Sequence, residues 1–221
     1  MGTQFPVEKS FIQGKAGVIE LATHIAAEGQ AHAIAAIAVI AHPHPLFGGT
    51  MDNKIVTTLA RATFDSGAAT YRFNFRGIGK SEGVHDDGRG ETDDLLTVIS
   101  HARLTYPRIP LWLAGFSFGG AVALAASELT DVNEMILVAP AFERMSHWHN
   151  VVSGGKPPAN TMLIHGEKDE TVPLSDSFNW ARTRDIAVTV VPEADHFFHL
   201  RLHMIKRLAT EHLCKPWSSP D

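Results

Sequence analysis

Three side chains in this sequence have the types and local settings that nucleophilic hydrolysis needs. Ser117 stands at the centre of Gly115-Phe116-Ser117-Phe118-Gly119. Before it, Ile109–Ala114 reads as a short buried strand, and after it Gly120–Leu129, rich in alanine and leucine, reads as a packed helix. A serine in so tight a strand-to-helix turn is forced into a strained backbone conformation, and Gly115 and Gly119 let strand and helix approach without side-chain clashes. Its hydroxyl then stands clear of the sheet, above the helix N-terminus. A serine hydroxyl is a poor nucleophile at neutral pH, so it needs a base within hydrogen-bond reach and an acid that fixes the base's tautomer. Thr161-Met-Leu-Ile-His-Gly-Glu-Lys-Asp169 is an apolar strand running into a polar loop that would deliver Asp169 to the edge where Ser117 sits. Val190-Val-Pro-Glu-Ala-Asp-His196 does the same for His196. Glu170 and Asp195 are rival acids. His199 and His203, four residues apart, superficially resemble a metal pair, but no carboxylate arrangement completes such a site, and no metal is expected.

The elements that must position these groups follow from periodicity. Phe5–Ile12 and Gly17–Thr23 flank Gln13–Ala16 and read as an antiparallel hairpin at a sheet edge. Thereafter strand, loop and helix alternate. Ala35–Ala41 is a buried strand, Asn53–Ser66 a helix with Ile55, Val56, Leu59, Ala60 and Thr63 on one side, and Ala68–Phe75 the next strand. Glu91–Tyr106 is a helix ended by Pro107. Glu134–Ala139, Thr161–His165 and Ala187–Val191 read as strands, with helices at Ser175–Thr183 and His196–His212. The pattern predicts an α/β fold with a mostly parallel sheet of about eight strands and helices on both faces, which binds ligands outside the carboxyl ends of the strands.

The 221 residues are expected to form one domain, 1–221. Hydrophobic content of 44% with 19% charged residues is that of a globular chain. Nineteen Lys+Arg against 24 Asp+Glu, with no basic run, argues against a nucleic-acid partner. A single cysteine, Cys214, precludes an intrachain disulfide and fits a reducing cytoplasm. The N-terminal residues carry no secretory pattern, and the longest apolar run, Ala33–Ala41, is too short to cross a bilayer, so no membrane partner is expected.

Five segments together resemble those of bacterial α/β-hydrolases: His42–Asn53 with its double His-Pro, Asn74–Ser81, Gly115–Gly119, His165–Pro173 and Ala194–Phe198. The order Ser117, Asp169, His196 is also that of the family. The double His-Pro is similar to a small subgroup of esterase-like hydrolases without a cap domain, and the likeness runs from about Ala35 to the C-terminus. It implies Ser117 as nucleophile, Asp169 as acid and His196 as base, with oxyanion donors from the Phe118 amide and from the loop after Ala41. Pro43 and Pro45 have no N–H, so that second amide is His44, Leu46 or Phe47, with Leu46 preferred. Asn74 stands where relatives often carry Asp, in a segment that shapes the rim.

The interval Pro140–Asn160, only about 20 residues and rich in Gly and Pro, leaves no room for a lid domain. Phe47, Phe142, Met145, Trp148 and Phe118 are then expected to line an open acyl or alcohol pocket. The expected activity is cofactor-free hydrolysis of short to medium acyl esters as small-molecule substrates. A thioesterase or small peptidase would share the triad, and a non-catalytic binding module on the same fold would usually have lost one of its members.

Overall fold

The chain begins with the hairpin: Glu8–Gly14 (β1) pairs antiparallel with Gly17–His24 (β2) at the edge of the sheet. The computed structural model describes residues 5–26, 34–143 and 157–214. In chain order the remaining elements are β3 (Ala36–Ala41), α1 (Lys54–Asp65), β4 (Ala68–Phe73), α2 (Arg89–Thr105), β5 (Leu111–Phe116), α3 (Phe118–Ser127) and β6 (Glu134–Val138). They end with β7 (Thr161–Gly166), α4 (Leu174–Arg182), β8 (Val188–Val191) and α5 (Leu202–Leu213). The eight described strands form one sheet in the order β1-β2-β4-β3-β5-β6-β7-β8, parallel from β4 to β8.

The central strands are almost unbroken apolar runs because both faces are covered. On one face Ile55 and Leu59 of α1 and Ile205 and Ala209 of α5 pack on Ile40, Phe116, Ile136 and Ile164. On the other, Leu95 and Val98 of α2, Val122 of α3 and Trp180 of α4 pack on Val39, Leu113, Leu137 and Leu163. Asn53 caps α1, its Oδ1 accepting the Ile55 N–H at 2.8 Å. Strand order turns back at β3, since the chain goes from it to β4 on one side and later to β5 on the other. Loops leaving β3 and β5 therefore diverge and open a crevice at their carboxyl ends, where this architecture places ligands.

The expected helix from His196 begins six residues later, at Leu202. Asp195 takes the His199 N–H on one oxygen, and Phe198 and Leu200 have φ of 51° and 60°, so residues 196–201 are turns. This leaves His196 on a loop. Asn74 has a specific reason to be an amide. Its Oδ1 accepts the Met51 N–H while its Nδ2 donates to Glu20 at 2.8 Å, where an aspartate would set two carboxylates together.

Two buried histidines are held neutral. His24 donates from Nδ1 to Pro6 O and accepts at Nε2 from Arg72 Nε, and its pKa is lowered to about 4 by burial and the Arg72 charge. His42 donates from Nδ1 to Pro43 O and accepts the Phe75 N–H at Nε2, and burial lowers it to about 4 as well. Both folded values lie below the ordinary 6.5, so between the two the unfolded chain binds more protons. Stability is therefore complete above pH 6.5 and declines as pH falls toward 4. Urea unfolding across this window should show uptake of up to about two protons on unfolding. A flat profile would contradict neutral burial of both rings.

Candidate active site

The turn after β5 holds Ser117 at φ 55° and ψ −118°, outside the regions that non-glycine residues ordinarily occupy. The strain is held by surrounding bonds. Its N–H donates to Val138 O at 2.9 Å, and its carbonyl accepts from Gly120 N at 3.0 Å and Ala141 N at 3.1 Å. The flanking glycines are needed because backbone lies where a side chain would begin. A Cβ on Gly115 would stand 2.2 Å from Gly119 O, and one on Gly119 2.4 Å from His42 O.

Three elements bring the sequence-predicted residues together at this turn. His196, from the turns after β8, has Nδ1 2.7 Å from Asp169 Oδ2 and Nε2 3.2 Å from Ser117 Oγ. A carboxylate can only accept, so Nδ1 carries the proton and Nε2 offers its lone pair to the serine hydroxyl. Asp169, just beyond β7, also accepts the Thr171 and Val172 N–H groups at Oδ1. Burial alone would raise its pKa, but hydrogen bonds from His165, His196 and Val172 outweigh that and hold it well below the usual carboxylate range. The rival acids lie elsewhere: Glu170 is exposed, and Asp195 is paired with His199 at 2.5 Å. The arrangement can activate a hydroxyl for attack on a carbonyl carbon.

Phe118 opens α3, so its N–H has no acceptor within the helix. The loop leaving β3 supplies a correction. Pro45–Phe47 is a single 3₁₀ turn capped by His44, in which the Leu46 N–H donates to His44 Nδ1 at 3.2 Å and the Phe47 N–H to His44 O at 3.1 Å. Leu46, the preferred donor, is thus committed to its own turn. His42 fixes the loop's root, because one ring joins Pro43 O to the Phe75 N–H.

A cleft of about 560 Å³ opens over Ser117 and His196. Phe47, 81% exposed, and Phe118 line it, as expected. Phe142 does not. It is buried and stacked on Trp180 at 4.3 Å, completing the core above α4, and Ala141 faces the cleft instead. Met145 and Trp148 lie outside the described residues. Sequence reasoning missed His85 and Asp87, which form a polar wall, and Phe197 beside the base. His85 and Asp87 lie in the β4–α2 loop, in a stretch beyond Asn74–Ser81 that has no periodicity or motif. Its shape comes from buried Glu91, whose carboxylate accepts the Asp86 and Gly88 N–H groups.

Residues 36–156 match the family model described as "Serine aminopeptidase, S33". The chain belongs to this α/β-hydrolase family. Over 94% of its length it is similar to an α/β serine hydrolase homologue from Coxiella burnetii, at 35% identity and TM-score 0.84, covering 97% of that chain. A Xanthomonas campestris α/β serine hydrolase described as lacking a lid is 33% identical, with TM-score 0.86 over 99% of this hydrolase and 100% of that one. An uncharacterised Rickettsia prowazekii protein is 28% identical over 188 residues, 81% of this chain and 79% of that protein. The fold is thus that of the lidless hydrolases. Among the described residues, no helix is long and apolar enough to cross a membrane.

Gly119→Ala is the direct test of the close backbone approach. The methyl would meet His42 O and Ala41 O, so the elbow or the β3 loop must shift. Stability should fall by about 1–3 kcal/mol in urea titration, and hydrolytic activity should be lost while most of the fold remains. Wild-type stability would show that the elbow has slack.

Proposed function

We propose that this hydrolase is a carboxylesterase that works through an acyl-enzyme, and the observation carrying the reading is the hydrogen-bonded series Ser117, His196, Asp169 beneath a strained elbow. Ser117 Oγ attacks the ester carbonyl carbon as its proton passes to His196 Nε2. Asp169, kept ionised, holds the ring and stabilises the imidazolium. The tetrahedral oxyanion is met by the Phe118 N–H and by the β3 loop, in which the Leu46 and Phe47 N–H groups donate within their own turn. His196 then protonates the departing alkoxide. Water, activated by the same imidazole, attacks the acyl carbon, and collapse of the second tetrahedral adduct releases the acid and restores Ser117. The chemistry so written uses no cofactor.

The cleft's walls bear on the substrate. Among the described residues lining it, Asp87 alone carries a formal charge at neutral pH, and no lysine or arginine contributes. Polyanionic thioesters such as acyl-CoA meet a wall of the wrong sign, whereas neutral short to medium acyl esters meet the rings of Phe47, Phe118 and Phe197. A small peptidase is the second reading, favoured by the match to the serine aminopeptidase model.

Ser117→Ala should lower ester hydrolysis on the order of 10⁴-fold or more with the fold intact, and a fluorophosphonate should label only the wild type. Asp169→Asn should be nearly as severe, because an amide favours the wrong imidazole tautomer, while Glu170→Gln and Asp195→Asn stay mild. Full activity in folded Ser117→Ala, or a severe Asp195→Asn, would overturn the assignment. In a side-by-side assay, p-nitrophenyl butyrate should be turned over well above butyryl-CoA at low salt. Preference for the CoA thioester would replace the esterase reading with a thioesterase.

A further inference from the structure

We propose that His165 is a positioning residue for the reaction: a neutral imidazole whose Nε2–H donates to Val172 O and also flanks, at 3.3 Å, Asp169 Oδ2, the oxygen through which the acid acts on His196. This rests on the reading of Ser117, His196 and Asp169 given above, but that mechanism makes no use of His165.

His165 lies on β7 with none of its surface exposed. Its Nε2 is 2.9 Å from Val172 O and 3.3 Å from Asp169 Oδ2. Both neighbours accept, so a lone pair on Nε2 would face two oxygens with no proton between them. Nε2 therefore carries the hydrogen. A neutral ring has only one, so Nδ1 accepts, and its partner is the buried Ser177 hydroxyl of α4 at 2.8 Å. Val172 O and Asp169 Oδ2 thus select the tautomer, and Ser177 completes it by donating to Nδ1.

Asp169 is then surrounded by donors. Oδ1 takes two backbone N–H groups, and Oδ2 takes His196 at 2.7 Å, with His165 Nε2 flanking it at 3.3 Å. The carboxylate cannot rotate without losing several of these at once. His165 also grips Val172, whose N–H binds the other oxygen, so one ring fixes both the acid and its loop. The titratable groups facing Asp169 are His165 from β7 and His196 from the turns after β8. A second donor draws negative charge from Oδ2 and moderates its hold on the His196 proton. Without it, the pair should retain that proton to higher pH.

The test compares His165→Leu, His165→Gln and Ser177→Ala with the wild type. The readouts are the pH dependence of kcat/KM on p-nitrophenyl butyrate and, for the wild type, the ¹⁵N signals that report the tautomer of each histidine. His165→Leu should lose on the order of 10- to 100-fold in kcat with KM little changed, and its acid limb should move to higher pH. His165→Gln, which can still donate an amide N–H, should recover most of the rate and the limb. Ser177→Ala keeps the ring but removes the hydroxyl that donates to Nδ1, so it should loosen the ring's hold and move the limb the same way by less. Should His165→Leu fail to fold, the glutamine and Ser177 variants and the tautomer signal decide the matter. An Nδ1–H tautomer for His165, or wild-type kcat and acid limb in folded His165→Leu, would overturn the proposal. An unmoved limb in Ser177→Ala and no difference between leucine and glutamine would do so too. Asp169→Asn separates the two claims. If it is active, the triad reading fails; if it is inactive while His165→Leu behaves as wild type, only the role of His165 fails.

Discussion

The backbone at Ser117 is the constraint on which the rest of the site depends. A residue at φ 55° between a strand and a helix stores strain, and it persists only because neighbours over-determine it. Val138, Gly120 and Ala141 bond the serine's own peptide groups, which ties the elbow to β6 and to the start of α3. The exit of β3 presses against the same turn, with Ala41 O and His42 O at the place where a Gly119 side chain would begin. The central sheet thus fixes two things at once: where the Ser117 hydroxyl lies and how near the β3 loop can come. Parallel pairing of β3, β5 and β6 makes this geometry stiff.

Histidine protonation is the second theme, and in each case the partners decide it. His42 stands between a carbonyl and an amide N–H, which demands one donor and one acceptor and favours the neutral ring. His165 stands between a hydroxyl and two acceptors, which fixes the opposite nitrogen as the donor. His196 stands between a carboxylate and a hydroxyl, so its Nδ1 donates to Asp169 and its Nε2 faces Ser117. The three rings share a chemistry and differ in function because of what lies within about 3 Å of each nitrogen.

The parts of this architecture that could be read in the sequence were those set by short-range patterning. The alternation of strands and helices, the edge hairpin and the elbow with its flanking glycines all follow from local periodicity and sterics. What could not be read there depends on hydrogen bonds between distant segments. Where the Leu46 N–H goes depends on a 3₁₀ turn in which it donates to the capping His44 side chain. Phe142 was drawn into the core by Trp180, 38 residues away, a contact no spacing announces. The helix expected from His196 was delayed because Asp195 spent its carboxylate on His199. His165 looked like one more residue of an apolar strand, and only the folded loop brings Asp169 and Val172 to its ring.

The central claim is that Ser117 becomes acylated. Rapid quenching of the enzyme with excess p-nitrophenyl butyrate at low pH, followed by intact and peptide mass spectrometry, tests it most directly. The account predicts a transient gain of one butyryl group, confined to the peptide containing Ser117 and absent in Ser117→Ala. Turnover with no adduct at any quench time, or an adduct on another side chain, would contradict it.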